Sequence, residues 1–502
     1  MVHSGTGFIP ATIGLVLLLF SGTLGPLHAG ELLYPQKDPA PTGRKPNQSD
    51  WIKLIREHIS PLTQERGKRW PLVSFALIGS EPFTDDDLQM LSARGIAPFL
   101  PLSSDSIPAA RRLQSSGVPV ILFDGRNGSW PYSLESDSNN WAYQYPADLK
   151  VNPQWLEMPV PTLFRGWAVA AGQLRNTLKL FRREGITVDA IWLDYENEPS
   201  QADYYAAILS PFGRTFLPEK VLRDEKIFRH YCRQLWSQLL SSYIAGPARE
   251  IFPNVSITNW IVTFSSTELP VLGWQNEPHP PSGSTLFTTT NPVAYGIDTA
   301  FLALWKSSFP LDQEHVDQFY THILLRQVTA DSFNRQKQAP YLDAVPWVAR
   351  WVADHPERKV PVMSRERYRE TLRHLWMRGI SGMQVFNPVN KPEHVGMAVA
   401  ELQDAVAVYD EMLVYKNFLE KGVPMQLTIP EMQADGLLWS GLQLQNEAIV
   451  RMFWQGQHIG SLTIEPWPES RITLSPPTRG TTFHLRFNKE EKTVQIVSIK
   501  PS

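Results

Sequence analysis

Between Val188 and Pro199 the chain reads Val-Asp-Ala-Ile-Trp-Leu-Asp-Tyr-Glu-Asn-Glu-Pro, so a strand-like apolar run ends in three carboxylates two positions apart, Asp194, Glu196 and Glu198. Extended backbone puts every second side chain on one face, with roughly 6 to 7 Å between successive same-side positions. Glycosidic cleavage needs a carboxylic acid to protonate the departing oxygen and a second group to stabilise the oxocarbenium charge that develops. Two neighbouring carboxylates can divide those duties, because like charge raises the proton affinity of one of them. Glu196, further out from the strand, is assigned as general acid and then base, and Asp194 as the group that orients it or the substrate. Glu198 shares their face if the strand extends, and is a further candidate. The bland reading is that these acids cap backbone groups or form ion pairs in a loop.

The segment resembles the fourth-strand signature of the family 18 glycoside hydrolases, the chitinase family, Asp-Gly-x-Asp-x-Asp-x-Glu. The matching positions here are Asp189, Ala190, Trp192, Asp194 and Glu196, so the first acid and the last two agree. Hyaluronidase-like barrels, with a terminal Asp-Trp-Glu, look similar at Asp194-Tyr195-Glu196. The resemblance implies a barrel hydrolase with Glu196 as the acid and Asp194 holding a substrate acetamido group whose oxygen is the internal nucleophile. Ala190 stands for the family's glycine and Trp192 for its middle aspartate. A second resemblance competes, since Asn197-Glu198-Pro199 looks like the acid/base motif of retaining barrel glycosidases. It implies a glutamate nucleophile near strand seven, where Asp343, Pro346 and Trp347 stand instead. Asn276-Glu277-Pro278 repeats the tripeptide in a proline-rich stretch that turn formation explains.

Sugar cleavage needs a cleft around the acids, and strand-end residues elsewhere would line it: Asp124, Arg126 and Asn127; Trp192 and Tyr195; Asn259 and Trp260; Tyr295 and Asp298; Trp347; Gln384 and Asn387. Aromatic planes pack on sugar C–H faces while amides fix hydroxyl groups. A core role is the competing explanation for each aromatic alone. Arg165, Arg365 and Arg378 could meet an acidic polysaccharide, although solvation or helix termination accounts for them. No histidine spacing suggests a metal, and no cofactor is expected.

The elements that must position these residues are eight apolar runs: Leu72–Ile78, Ile96–Leu102, Val118–Phe123, Val188–Leu193, Val255–Trp260, Val293–Ile297, Leu342–Val348 and Ile380–Phe386. Crossover-length segments separate them, with helix signals at Trp51–His58, Thr84–Leu91, Ser106–Ser115, from Ser364 and over Glu393–Leu419. This is the rhythm of an α/β protein and predicts a (β/α)8 TIM barrel, whose active site lies at the C-terminal strand ends. No Gly-rich turn follows the first run, which counts against a nucleotide-binding sheet. After Gly422 short alternating runs separated by Gly, Pro and charged turns predict a small antiparallel β domain.

Of 502 residues, 42% are hydrophobic and 19% charged, with 47 basic against 50 acidic side chains, which excludes disorder throughout and a global nucleic-acid-binding charge. The apolar run Phe8–Phe20 followed by small residues up to Ala29 reads as a secretory signal, with a retained anchor as the rival. Cys232 is the single cysteine, so no disulfide forms within the sequence. The expected organisation is a signal over 1–29, a leader over 30–50, a barrel over 51–420 and a β-sandwich-like accessory domain over 421–502. The expected protein is secreted or periplasmic and acts on an oligo- or polysaccharide, without nucleic acid or stable membrane insertion. The alternatives are a double-displacement glycosidase centred on Glu198 and a non-catalytic carbohydrate-binding barrel.

Overall fold

The computed structural model describes residues 46–501 apart from 80–82, 125–164, 195–203, 210–213, 215–216, 229–240, 261, 264–276, 279–285, 296–311, 351–361, 388, 390–391, 431–435 and 457. The described chain opens with helix α1 (Gln48–His58), started by a capping box in which Asn47 and Asp50 satisfy each other's backbone N–H groups. Strand β1 (Leu72–Ile78) follows, then α2 (Asp85–Ala93), capped by the same device between Thr84 and Asp87. The alternation continues through β2 (Ile96–Pro101), α3 (Ile107–Ser115), β3 (Ile121–Asp124), α4 (Arg165–Arg183), β4 (Ala190–Leu193), α5 (Gly246–Ile251) and β5 (Ser256–Asn259). The five strands coincide with the first five expected runs to within three residues at each end. The first four are rich in Val, Ile, Leu and Phe because both faces are covered, and β5, Ser-Ile-Thr-Asn, is buried as well.

Proline interrupts the sixth and seventh strands, at Pro292 just ahead of the expected run Val293–Ile297 and at Pro346 inside the run Leu342–Val348. β6 consists of Thr289–Thr290 and Val293–Ala294 with Pro292 between them; β7 consists of Asp343–Ala344 and Trp347–Val348 with Pro346 between them. Proline has no N–H to donate, so each ladder is interrupted there. The carbonyls still serve, since Pro292 O accepts from Trp347 N at 3.1 Å and Pro346 O from Gln384 N at 2.9 Å. β8 is Gln384–Val385.

All sheet neighbours are parallel and run in the order β5-β4-β3-β2-β1-β8-β7-β6. The two outer strands of that order also meet. Thr288 N–H donates to Ile257 O at 3.2 Å, Ile257 N–H donates to Thr288 Oγ1 at 2.8 Å, and the Ser256 and Thr289 hydroxyls lie 2.7 Å apart. The result is an eight-stranded parallel sheet curled into a TIM-barrel-like α/β arrangement. Its beginning and end are tied together outside the sheet as well: Asp410 accepts from the Thr63 backbone and hydroxyl at 2.8 and 2.7 Å, and Gln403 donates to His58 O at 2.9 Å.

Helix α6 (Gln313–Gln338) lies where no element was expected. Buried residues occur all round it, including Asp317, Gln327 and Asp331, so it lacks the one-sided apolar stripe by which a helix is read from sequence. Its polar groups complete the strands and turns beside it. Gln327 Oε1 accepts from Val293 N at 2.8 Å and Asp331 Oδ2 from the Thr290 hydroxyl at 2.9 Å. Arg335 donates to Leu342 O and Gly379 O. Helix α7 (Arg365–Trp376) precedes β8, and the expected last helix divides into α8 (Val395–Leu413) and α9 (Lys416–Lys421). Among the described residues no helix is long and apolar enough to cross a membrane.

From Val423 onward the strands are antiparallel: β9 (Val423–Pro424), β10 (Leu437–Leu444), β11 (Glu447–Trp454), the hairpin β12 (Leu462–Trp467) and β13 (Ser470–Leu474), β14 (Gly480–Asn488) and β15 (Thr493–Pro501). Five of them form one sheet in the order β9-β10-β11-β14-β15. Val450, Met452, Phe483 and Leu485 on one face pack with Ile464, Trp467 and Leu474 of the hairpin. Leu438, Leu442, Ile449 and Phe453 instead join the core that runs through the barrel and its helices.

Candidate active site

Pairing fixes which side chains share a face. Phe123, Trp192 and Thr258 are partners across β3, β4 and β5, and the next row is Asp124, Leu193 and Asn259. The first row faces the barrel interior. Trp192 packs edge-on against Trp70 and Phe99, with ring centroids 5.6 and 5.9 Å apart, and its indole N–H donates to Ser256 Oγ at 3.2 Å. Asp194 lies two residues beyond Trp192, so strand alternation carries it to the same interior-facing row at the C-terminal end of β4. It is 9% exposed, and its backbone N–H donates to Asp124 O at 2.9 Å. The chain therefore still tracks β3 where the acidic segment begins. Tyr195, Glu196 and Glu198 lie outside the described residues, as do Arg126, Asn127 and Asp298.

Below Asp194 the interior is aromatic. Trp347, 1% exposed, contacts Phe75, Phe99, Phe123 and Phe386 at centroid separations of 5.6 to 6.1 Å. Phe386 also stacks on Tyr295 at 5.1 Å, and Phe75 and Phe386 remain partly exposed. Most of these pairs are edge-on or tilted, geometries the ring quadrupole favours, each worth about 0.5 to 1.5 kcal/mol beyond its burial. Gln384, level with Trp347 in the register, is fully buried and donates to Val345 O at 3.1 Å; Asn291 donates to the same oxygen at 3.0 Å.

Other expected site residues take different positions. Asp124 (8% exposed) and Asn259 (0%) belong to the row with Leu193, on the face opposite to Trp192. Trp260 is buried and its backbone N–H donates to Leu193 O at 2.9 Å. Asn387 turns to the helix layer, where its amide donates to Ala398 O of α8 at 3.2 Å. Asp189, the first acid of the motif, sits at the opposite end of β4 and accepts from Val120 N at 2.8 Å. Burial pushes its carboxyl up, partly offset by that hydrogen bond. Its position makes it a backbone clamp between β3 and β4. Glu277 and Pro278 form a short parallel pairing with Val262 and Thr263.

No protein-family model matches the sequence, and no curated protein sequence matches it. Solved structures do superpose on it. A GH30 endoxylanase from Clostridium papyrosolvens C71 is 9% identical, covering 85% of this chain and 95% of its own, with a TM-score of 0.37. Alpha-L-fucosidase isoenzyme 2 from Paenibacillus thiaminolyticus is 11% identical over 71% of this chain and 51% of its own, at 0.37. An Anoxybacillus alpha-amylase is 9% identical over 79% of each chain, at 0.38. These are three different kinds of glycoside hydrolase, none of them a family 18 chitinase. Likenesses of this size decide nothing about substrate or chemistry here.

The residues at the strand ends include one carboxylate, Asp194, with little solvent around it at the end of β4, and the barrel interior is aromatic. Such a carboxylate can hold a hydroxyl or amide of a bound molecule, or set the protonation of an acid two positions further on. Sequence reading missed the buried charge outside the barrel interior. Glu370 of α7 accepts from Arg451 of β11 at 2.8 and 2.6 Å and from Arg373 at 3.0 Å. A signal for it was present, since Arg367, Glu370, His374 and Arg378 recur at helical spacing on one face.

Proposed function

We propose that the protein is a glycoside hydrolase cleaving an oligo- or polysaccharide at the C-terminal end of a closed (β/α)8 barrel. The observation that supports it is the place of Asp194, on the interior-facing row at the end of β4 and almost withdrawn from solvent. Two residues on, Glu196 acts as proton donor and then base; Asp194 orients it or a substrate group. Trp192 stands where the chitinase signature has its middle aspartate, so an indole donating to Ser256 Oγ replaces that carboxylate, and the Asp194 backbone N–H donates to Asp124 O. Where the sugar carries an acetamido group, its carbonyl oxygen attacks C1 and the configuration is retained. The protein is exported, with cleavage of its signal after Ala29.

The test is release of reducing ends from a panel of polysaccharides by the purified chain and its Glu196→Gln, Glu198→Gln and Asp194→Asn variants. Glu196→Gln is expected to lower kcat by about 100- to 10,000-fold, the span usual for a lost acid/base group, with Glu198→Gln close to the parent. The opposite ranking moves the acid to Glu198. Unchanged turnover in both glutamine variants removes the proposal.

A further inference from the structure

A groove of about 1020 Å³ opens between α7, the end of α8 and the β11–β14–β15 side of the C-terminal sheet. A row of partners runs across four strands, Ser440, Arg451, Thr482 and Lys500, and the last three line the groove. Paired residues stand on the same face, so the four side chains form one polar stripe toward α7. The stripe is satisfied at one end. Ser440 meets His374 Nδ1 at 2.9 Å and Arg378 Nε at 3.0 Å, Arg451 grips Glu370, and Arg451 Nη1 donates to Thr482 Oγ1 at 3.2 Å.

At the other end it is not. Lys500 lines the groove with no carboxylate partner among the described residues. Opposite it, Arg369 and Arg373 of α7 both donate to Glu411 through contacts of 2.8 to 3.1 Å, Arg373 also donates to Glu370 at 3.0 Å, and the buried Arg369 Nε has no acceptor among the described residues. Glu370 and Glu411 thus face Arg369, Arg373, Arg451 and Lys500, an excess of two positive charges, while burial keeps His374 neutral near pH 7. Arg365 and Arg479, also on the wall, have Asp404 and Glu314 as partners. Glu366, exposed on the first turn of α7, is balanced by Arg479, which shares Glu314 with Arg367, so the excess stays at two.

We infer that this groove binds a doubly charged oxyanion, a phosphate either free or carried on a sugar, between Arg369, Arg373 and Lys500. Forked guanidinium donors and an ammonium suit a tetrahedral oxyanion, and two surplus charges match a dianion better than a carboxylate. The site is separate from the barrel interior, so it stands or falls independently of the hydrolase proposal.

Calorimetric titration of the full chain with inorganic phosphate, glucose 6-phosphate and glucuronate, at fixed ionic strength, tests it. Both phosphates are expected to bind, and glucuronate about tenfold or more weakly. Lys500→Gln and Arg369→Gln should each weaken phosphate by about tenfold, with the Tm measured without phosphate unchanged for the exposed Lys500 position. Tighter binding of glucose 6-phosphate than of phosphate identifies the sugar-borne group; equal binding identifies the free ion. Absence of binding by both phosphates, or binding that survives in the Lys500→Gln/Arg369→Gln double variant, overturns the inference.

Discussion

At the residue scale the most constrained charge is Glu370, 2% exposed between α7 and β11. Burial alone would push its carboxyl up, but Arg451 and His374 outweigh it and hold the group well below the usual carboxylate range. His374 moves down too: burial takes its imidazole from 6.5 to about 4, against the pull of Glu370. Both shifts have the same sign for stability. Above about pH 6.5 the histidine is neutral folded and unfolded; below it the unfolded chain gains a proton the folded one refuses, so stability falls toward pH 4, by on the order of 3 kcal/mol. Glu370 adds its own loss at still lower pH, as it is titrated through its depressed pKa. Urea unfolding at several pH values between 7 and 4 should therefore show a falling midpoint in the parent and a clearly flatter one in His374→Gln. An identical slope in both would remove His374 as the cause. Neither group was legible as a pair, because Glu370 and Arg451 are 81 positions apart and only the packing of α7 on β11 brings them together. The place of Asp194 at the end of β4 was legible, since the apolar run that precedes it marks the strand.

Elements were readable where one physical cue dominates. β1 matches its expected range to the residue because a seven-residue run rich in Val, Ile, Leu and Phe is bounded by Trp70-Pro71 and Gly79. β7 was overextended because Pro346 sits within an apolar run that otherwise looks continuous. Helix α6 was missed for the opposite reason: its buried faces carry polar groups that serve neighbouring backbone, so hydrophobic periodicity is erased. The turn from α7 to β8 shows how a single residue decides a connection. Gly379 has φ +82°, and a Cβ there would lie 2.8 Å from Pro424 Cγ, at the first strand of the C-terminal sheet. Gly379→Ala is expected to cost about 1 to 3 kcal/mol, read as a lowered denaturation midpoint, since left-handed backbone and a close contact are imposed together. A variant as stable as the parent would show that this turn relaxes freely.

For the whole molecule, the antiparallel sheet is part of the barrel's interior economy rather than an appendage. Leu438, Leu442, Ile449 and Phe453 lie in the same core as the barrel strands, and Arg367, Glu370, His374 and Arg378 all reach partners beyond Gly422. Scanning calorimetry of the full chain should give one cooperative transition, and a chain ended at Gly422 should lose native near-ultraviolet dichroism, because it would expose Glu370 and Arg378 without counterparts. Two separate transitions, or a folded truncated barrel, would refute that coupling. The order of the curled sheet has a further effect, on synthesis. Val73 of β1 waits for Gln384, 311 positions later, before its second flank is covered. At about 5 to 20 residues per second a ribosome takes roughly 15 to 60 s to deliver it. Throughout that interval the nascent chain presents a naked apolar strand, which makes this protein a natural client for holding chaperones and a slow folder in their absence.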